Sequence, residues 1–294
     1  AVVRLLSKRS SSTDASQLGD MTIDLLRGTH GPQKSEIREL INFLCDDLQP
    51  DVILFSNALL SGIVPELKLR FQGKIACLLQ GDDIFLDALP EPWKTQAIQL
   101  VSQNAAGFDR LFTHSRYYST FMQQYLTLPE NHFRTIPLII DPDSHRVNHD
   151  LHIESRPLNH DASALRPNSG QTTIGYFARI CPEKGAFHFL NAAEDVVSRT
   201  NNVDFVIAGF LPDLHQRQFE KRLRAVQQSA GEGRIRWEGS PADREGKFKI
   251  LRSFDWLCVP TEYREPKGLY VLEAALAGVP SLLPDHGAFP ERLA

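Results

Sequence analysis

The chain is short of the features that mark several large protein classes. Its 294 residues hold four cysteines, Cys45, Cys77, Cys181 and Cys258, with no CxxC pair. That is too few and too scattered for a disulfide framework, and it suits a reducing, cytoplasmic setting. Cys45, Cys77 and Cys258 sit in apolar stretches and read as small core residues. No apolar run approaches the roughly 18 residues of a membrane span. Excess positive charge is missing too: the formal net charge is −4. Nucleic acid is therefore not the expected partner. No G-x-S-x-G elbow, P-loop or complete G-x-G-x-x-G after a strand occurs, which removes the esterase, nucleotide-hydrolase and dehydrogenase readings.

What is present is a regular alternation. In the first half, strands are predicted at Thr22–Leu26, Val52–Phe55, Lys74–Leu79, Arg110–Thr113 and Phe133–Ile140. Helices are predicted at Lys34–Leu48, Leu59–Arg70, Pro92–Ala106 and Tyr117–Leu126. Ile37, Leu40, Ile41, Leu44 and Leu48 recur at helical spacing. The second half repeats the rhythm. Its strands are predicted at Thr173–Phe177, Asp204–Ala208, Arg234–Glu238, Asp255–Val259 and Pro280–Leu283. Its helices are predicted at Ala186–Ser198, Leu214–Ser229, Ala242–Ser253 and Gly268–Ala277, and a further helix starts near Ala294. Such alternation predicts an α/β fold with two Rossmann-like domains facing a cleft. The expected boundaries are 1–141, a polar linker or insertion at 142–172, and 173–294. Ala1–Ser7 reads as the tail of a helix whose preceding strand lies outside the sequence.

Two segments concentrate chemistry. In Arg179-Ile-Cys-Pro-Glu-Lys184-Gly185, two cations follow a strand and precede a helix. A helix start adds free N–H groups and partial positive charge, so the loop suits a diphosphate. The plainer alternative is a solvated loop with incidental charges. In Glu265-Pro-Lys-Gly268-Leu-Tyr-Val-Leu-Glu273, Pro266 and Gly268 lead into a helix. Glu273 projects from an otherwise apolar turn, where a carboxylate needs partners. Two vicinal ribose hydroxyls would supply them. An ordinary acidic first turn is the alternative.

The spacing Glu265-x7-Glu273 resembles the E-x7-E signature of family-4 retaining glycosyltransferases of the GT-B fold, the glycosyl transferases group 1. Gly175-Tyr-Phe-Ala-Arg179-Ile-Cys-Pro-Glu-Lys184-Gly185 is similar to that family's G-R-L-x-x-x-K-G region, with Ala178 in place of the usual glycine. Asp204–Gly209 and His286-Gly287-Ala288-Phe289-Pro290-Glu291 are similar to its later strand and G-x-x-E ending. The resemblance runs from Thr173 to Glu291 and implies that further chain is expected at both ends.

This resemblance implies a metal-independent transfer, with retained configuration, from a nucleotide sugar to a glycan, lipid or small-molecule acceptor. No cofactor is implied. Arg179 and Lys184 would stabilise the departing diphosphate, and Glu265 would contact hydroxyls of the sugar. Glu273 would bind the ribose, with Gly268, Leu269 and Gly209 beside the donor. On the acceptor or sugar side stand Asp82, Asp83 and His114. Relatives often place a histidine near the first of these, where Gln80-Gly81-Asp82-Asp83 offers carboxylates instead; an acidic turn is the alternative. The alternatives to a transferase are a sugar-nucleotide epimerase and a non-catalytic scaffold that binds the nucleotide sugar.

Three further features carry less. Asp141-Pro-Asp143 has the form of a metal-binding D-x-D but lies where a turn is expected. His145, His149, His152 and His160 cluster in the linker, where the first pair has zinc-compatible spacing. Arg217, Lys221, Arg222 and Arg224 share one amphipathic helix, a solvated face or a peripheral contact with anionic lipid. Ser115, after His114, is a predicted helix N-cap.

Overall fold

The computed structural model describes residues 18–140, 170–231 and 233–293. The chain divides into two compact units, Ala1–Leu138 and Ile139–Ala294. The D-x-D and the linker histidines lie outside the described residues, as does Ala1–Ser7.

The first unit carries a four-stranded parallel sheet in the order β1 (Val52–Phe55), β2 (Lys74–Leu78), β3 (Arg110–Thr113), β4 (Phe133–Thr135). Its helices are α1 (Gly19–Leu26), α2 (Lys34–Asn42), α3 (Val64–Arg70), α4 (Asp82–Ala88), α5 (Trp93–Ala105) and α6 (Arg116–Tyr125). Ser115 caps α6, its hydroxyl accepting from the Tyr118 N–H at 3.1 Å, as its residue type predicts.

Three expectations are corrected here. Thr22–Leu26 is helix, not strand. Gly19, Thr22, Ile23 and Leu26 are its buried positions, a 3.6-residue period that a five-residue window cannot separate from a strand's alternation. The strand expected over Phe133–Ile140 stops at Thr135; Pro137, two residues on, cannot donate to a ladder. Gln80-Gly81-Asp82-Asp83 leads from β2 into α4, which Asp82 and Asp83 open. The helix expected over Lys34–Leu48 keeps its path but ends in a π turn over Phe43–Leu48, closed by Gln49 at φ +45°.

The second unit has a five-stranded sheet, all parallel, in the order β7-β6-β5-β8-β9. The strands are β5 (Thr172–Phe177), β6 (Val203–Ala208), β7 (Ile235–Gly239), β8 (Trp256–Cys258) and β9 (Ser281–Leu282). Helices α7 (Ala186–Arg199), α8 (Asp213–Ala230), α9 (Arg244–Arg252), α10 (Leu269–Leu276) and α11 (Phe289–Leu293) connect or follow them. This is the doubly wound Rossmann-like order. The chain builds outward from β5 on one side, then returns to its other side through β8. Tyr176, Phe189, Phe205, Phe219 and Phe254 are fully buried in one core. Gly175 lies on β5 where a Cβ would stand 2.1 Å from the Phe254 ring, so the aromatic packs directly on the strand. The four cysteines are free. Cys181, the one outside an apolar stretch, is nonetheless buried, and burial pushes its thiol up to about 11.

Candidate functional site

In a doubly wound sheet, ligands bind beyond the carboxyl ends of the strands, where the winding direction reverses. Here that point lies between β5 and β8. The segment after β5 passes Arg179, makes a 3-10 turn at Pro182–Lys184 and enters α7 through Gly185. Tyr176, buried at the end of β5, fixes this segment by donating its hydroxyl to the Arg179 carbonyl at 2.8 Å. Gly185 adopts φ +73°, and a Cβ there would fall 1.8 Å from the Pro260 carbonyl oxygen. Any other residue would drive the two segments apart. The Glu262 N–H donates to the Glu183 carbonyl at 3.0 Å and ties the segment after β8 to the one after β5.

That tie brings Lys184 to Glu265. Lys184 Nζ lies 2.5 Å from Glu265 Oε2, with side chains 13% and 4% exposed. Lys184 also donates to the Tyr263 hydroxyl and sits over the Tyr263 and Tyr270 rings, 4.7 and 5.2 Å from their centroids. Both phenols donate to Glu265 Oε2, Tyr263 at 2.9 Å and Tyr270 at 3.1 Å. The Gly268 N–H donates to Oε1 at 3.1 Å. Burial by itself would raise the Glu265 carboxyl; the Lys184 charge and these hydrogen bonds outweigh it and hold the group below its ordinary value. Burial lowers Lys267, two residues on, and outweighs the opposing pull of the Glu265 charge.

Arg179, Lys184, Gly209, Leu269 and Glu273 line one pocket of about 630 Å³. Glu265 stands directly behind Lys184, and the Gly268 N–H holds Glu265 in turn. Arg179 reaches it half-exposed, held loosely by Glu183 at 3.1 Å. Gly209 closes the floor: a Cβ would lie 1.9 Å from the Ala178 carbonyl, so only glycine lets the ends of β5 and β6 meet there. The seven donor-side residues singled out in the sequence thus gather at one end of one sheet.

The three residues assigned to the acceptor or sugar side lie in the first unit and make internal contacts. Asp82 is 5% exposed. Its oxygens accept from the Ala58 N–H at 2.5 Å and the Gln80 N–H at 2.9 Å. Asp83 accepts from the Tyr118 hydroxyl at 2.5 Å. Burial raises both carboxyls. His114 Nδ1 lies 3.2 Å from the Ile136 carbonyl.

Sequence reading missed three members of the pocket region. Tyr263 and Tyr270 lie within or beside the E-x7-E stretch and carried no spacing signal of their own. Lys247, on α9, is 26 residues from its partner Glu273. The basic set on α8 is also divided. Arg217, Lys221 and Arg224 share an exposed groove, whereas Arg222 turns to Glu194 at 2.6 Å. Among the described residues, no group of three or more His, Cys, Asp or Glu could hold a metal ion, and no helix is long and apolar enough to cross a membrane.

Residues 159–294 match the family model described as Glycosyl transferases group 1. No curated protein matches the sequence. Among solved structures, the chain is similar to Anabaena HepE in complex with UDP: 18% identity, TM-score 0.68, covering 90% of this chain and 67% of that one. It is also similar to a trehalose-6-phosphate synthase studied for glycosyltransfer with retention (14% identity, TM-score 0.62, covering 88% and 66%). A third is the lipopolysaccharide outer core galactosyltransferase WaaB in apo form (13% identity, TM-score 0.57, covering 88% and 63%). The chain therefore spans about two thirds of the length of these three structures. At these identities the likeness establishes the fold: two Rossmann-like units of the GT-B kind.

Proposed function

We propose that this chain carries the donor site of a retaining glycosyltransferase, which moves a sugar from a nucleoside diphosphate to an acceptor hydroxyl without a metal ion. The observation that carries this reading is the nearly dry Lys184–Glu265 pair, opening beside Arg179 onto the pocket that also holds Glu273. Buried ion pairs return little stability for their desolvation. Their concentration at the carboxyl ends of parallel strands points to ligand chemistry instead. The matched family model and the UDP bound in the Anabaena neighbour support a nucleotide sugar as ligand.

Each group has a part that its chemistry suits. Arg179 and Lys184 carry fixed positive charge to where negative charge grows as the diphosphate departs, so little reorganisation is needed. Glu265, held ionised behind Lys184, fixes that ammonium, and its Oε1, which accepts from the Gly268 N–H, keeps one position for a hydroxyl of the sugar. Glu273 takes the ribose, and Gly268 and Leu269 bring backbone close to phosphate or sugar. The departing phosphate assists removal of the acceptor proton on the same face, which preserves configuration. The retention described for the trehalose-6-phosphate synthase supports this part of the reading. Acceptors are glycans, lipids or small molecules, and Asp82, Asp83 and His114 belong to the unit expected to face them. The reading includes a cytoplasmic location, which the free cysteines support, and peripheral membrane contact through Arg217, Lys221 and Arg224 of α8.

The test is a panel of UDP-, GDP- and ADP-sugars with excess EDTA. Nucleoside diphosphate release and the anomeric signal of the product are followed by NMR. The expected result is release from one donor class, unaffected by EDTA, with the donor's anomeric configuration kept. Inversion, or loss of release with EDTA, would remove the corresponding part of the reading.

A further inference from the structure

Glu273 is not a bare carboxylate. Its Oε1 accepts from Lys247 Nζ at 2.9 Å, and the two side chains are 12% and 31% exposed. Both line the pocket. Among the described residues no donor reaches Oε2. The pair is not needed to hold α9 against the sheet, because Phe248 and Leu251 of α9 are already buried in the same core as Val271 and Ala274 of α10. A half-buried pair returns little net stability. Its place in the pocket therefore calls for another account.

A carboxylate only accepts hydrogen bonds and an ammonium only donates them, whereas a hydroxyl does both. Side by side, Glu273 and Lys247 present one accepting and one donating position a few ångströms apart. A vicinal diol matches that pattern in one orientation: one hydroxyl donates to Oε2, and its neighbour accepts from Nζ.

We propose that Lys247 is a second ribose-reading residue, which donates to one hydroxyl of the diol while Glu273 Oε2 accepts from the other. This deepens the donor-site reading above and rests on it. The reader is asymmetric, so removing either hydroxyl leaves one of the two charged groups without its partner. A polar group stranded in a partly dry site weakens binding by about tenfold or more.

Calorimetry on the full chain tests this. UDP, GDP and ADP are titrated first, then the 2′-deoxy and 3′-deoxy forms of whichever binds best. Wild type is expected to lose about tenfold for each deoxy form. Lys247→Met is expected to weaken the parent nucleotide by about tenfold and to erase the penalty for one of the two deoxy forms, with Lys247→Arg restoring it. The ratio of two affinities within one variant does not depend on how much of that variant is folded, so a loss of Tm leaves the test intact. Unchanged ratios for both deoxy forms in Lys247→Met overturn the role of Lys247. Absence of binding by wild type to all three nucleotides overturns the donor-site reading, and this one with it.

Discussion

Two carboxyl ends of parallel strands carry charge in this molecule, and they use it in opposite ways. Beyond β2, Asp82 and Asp83 turn inward. Asp82 is spent on the Ala58 and Gln80 amides and Asp83 on Tyr118. Beyond β5, Arg179 and Lys184 face a pocket, and the carboxylate that balances Lys184 comes from a different segment, after β8. The first arrangement anchors the start of α4. The second leaves cationic surface accessible and supports it from behind with Tyr263, Tyr270 and the Gly268 amide. Acidic residues at a strand exit are thus no signal of a site by themselves; what distinguishes the second end is charge supplied from two segments onto one cavity.

The sharpest way to break this contrast is at Arg179. Arg179→Ala is expected to lower turnover by about 10²–10³, as for the loss of one preorganised donor, while Tm stays within a degree or two. The side chain is half-exposed and its pair with Glu183 is of a kind worth about 0.5 kcal/mol or less. Turnover near wild type would place Arg179 outside the chemistry. The converse holds at Asp82. Asp82→Ala strands two backbone N–H groups and is expected to destabilise the first unit by about 2–4 kcal/mol in urea unfolding, with nucleotide affinity of the pocket unchanged.

A finer separation comes from pH. Glu265 has its folded value lowered below 4.5, so it contributes stability in full above that value and loses it as pH falls through the folded one. Asp82 has its folded value raised above 3.8. Its contribution is most favourable where it is protonated, and is lost as pH rises from 3.8 through the folded value. Unfolding curves at a series of acid pH values should therefore show Glu265→Gln removing a slope of one sign and Asp82→Asn a slope of the other. Slopes of the same sign would erase the distinction.

How much of this was legible in the sequence follows from range. Arg110–Thr113 and Val52–Phe55 were read to the residue, because an apolar run between polar turns is a local signal. Thr22–Leu26 was not, since its helical burial pattern begins at Gly19, outside the apolar window. In the site, Arg179, Lys184, Glu265 and Glu273 were legible because each belongs to a short stretch with fixed spacing. The partners that set their chemistry were not. Lys184 meets Glu265 across 81 residues, and Lys247 meets Glu273 across 26. Asp82 stood on the acceptor or sugar side in the sequence, where nothing local reveals that Ala58, 24 residues earlier, donates to it.

The stretch from His286 to Arg292 bears on the durability of the site. His286 Nε2 lies 3.2 Å from the Thr261 carbonyl, Ala288 N–H donates to the Glu265 carbonyl at 2.8 Å, and Arg292 Nε donates to the Lys267 carbonyl at 2.8 Å. A Cβ on Gly287 would come within 2.7 Å of the Glu265 backbone. The segment works as a splint along the strand-to-helix passage that presents Glu265. A protease nick just ahead of it would leave the sheet standing while the Glu265 carboxylate drifted from Lys184, so the pair would be lost before the fold.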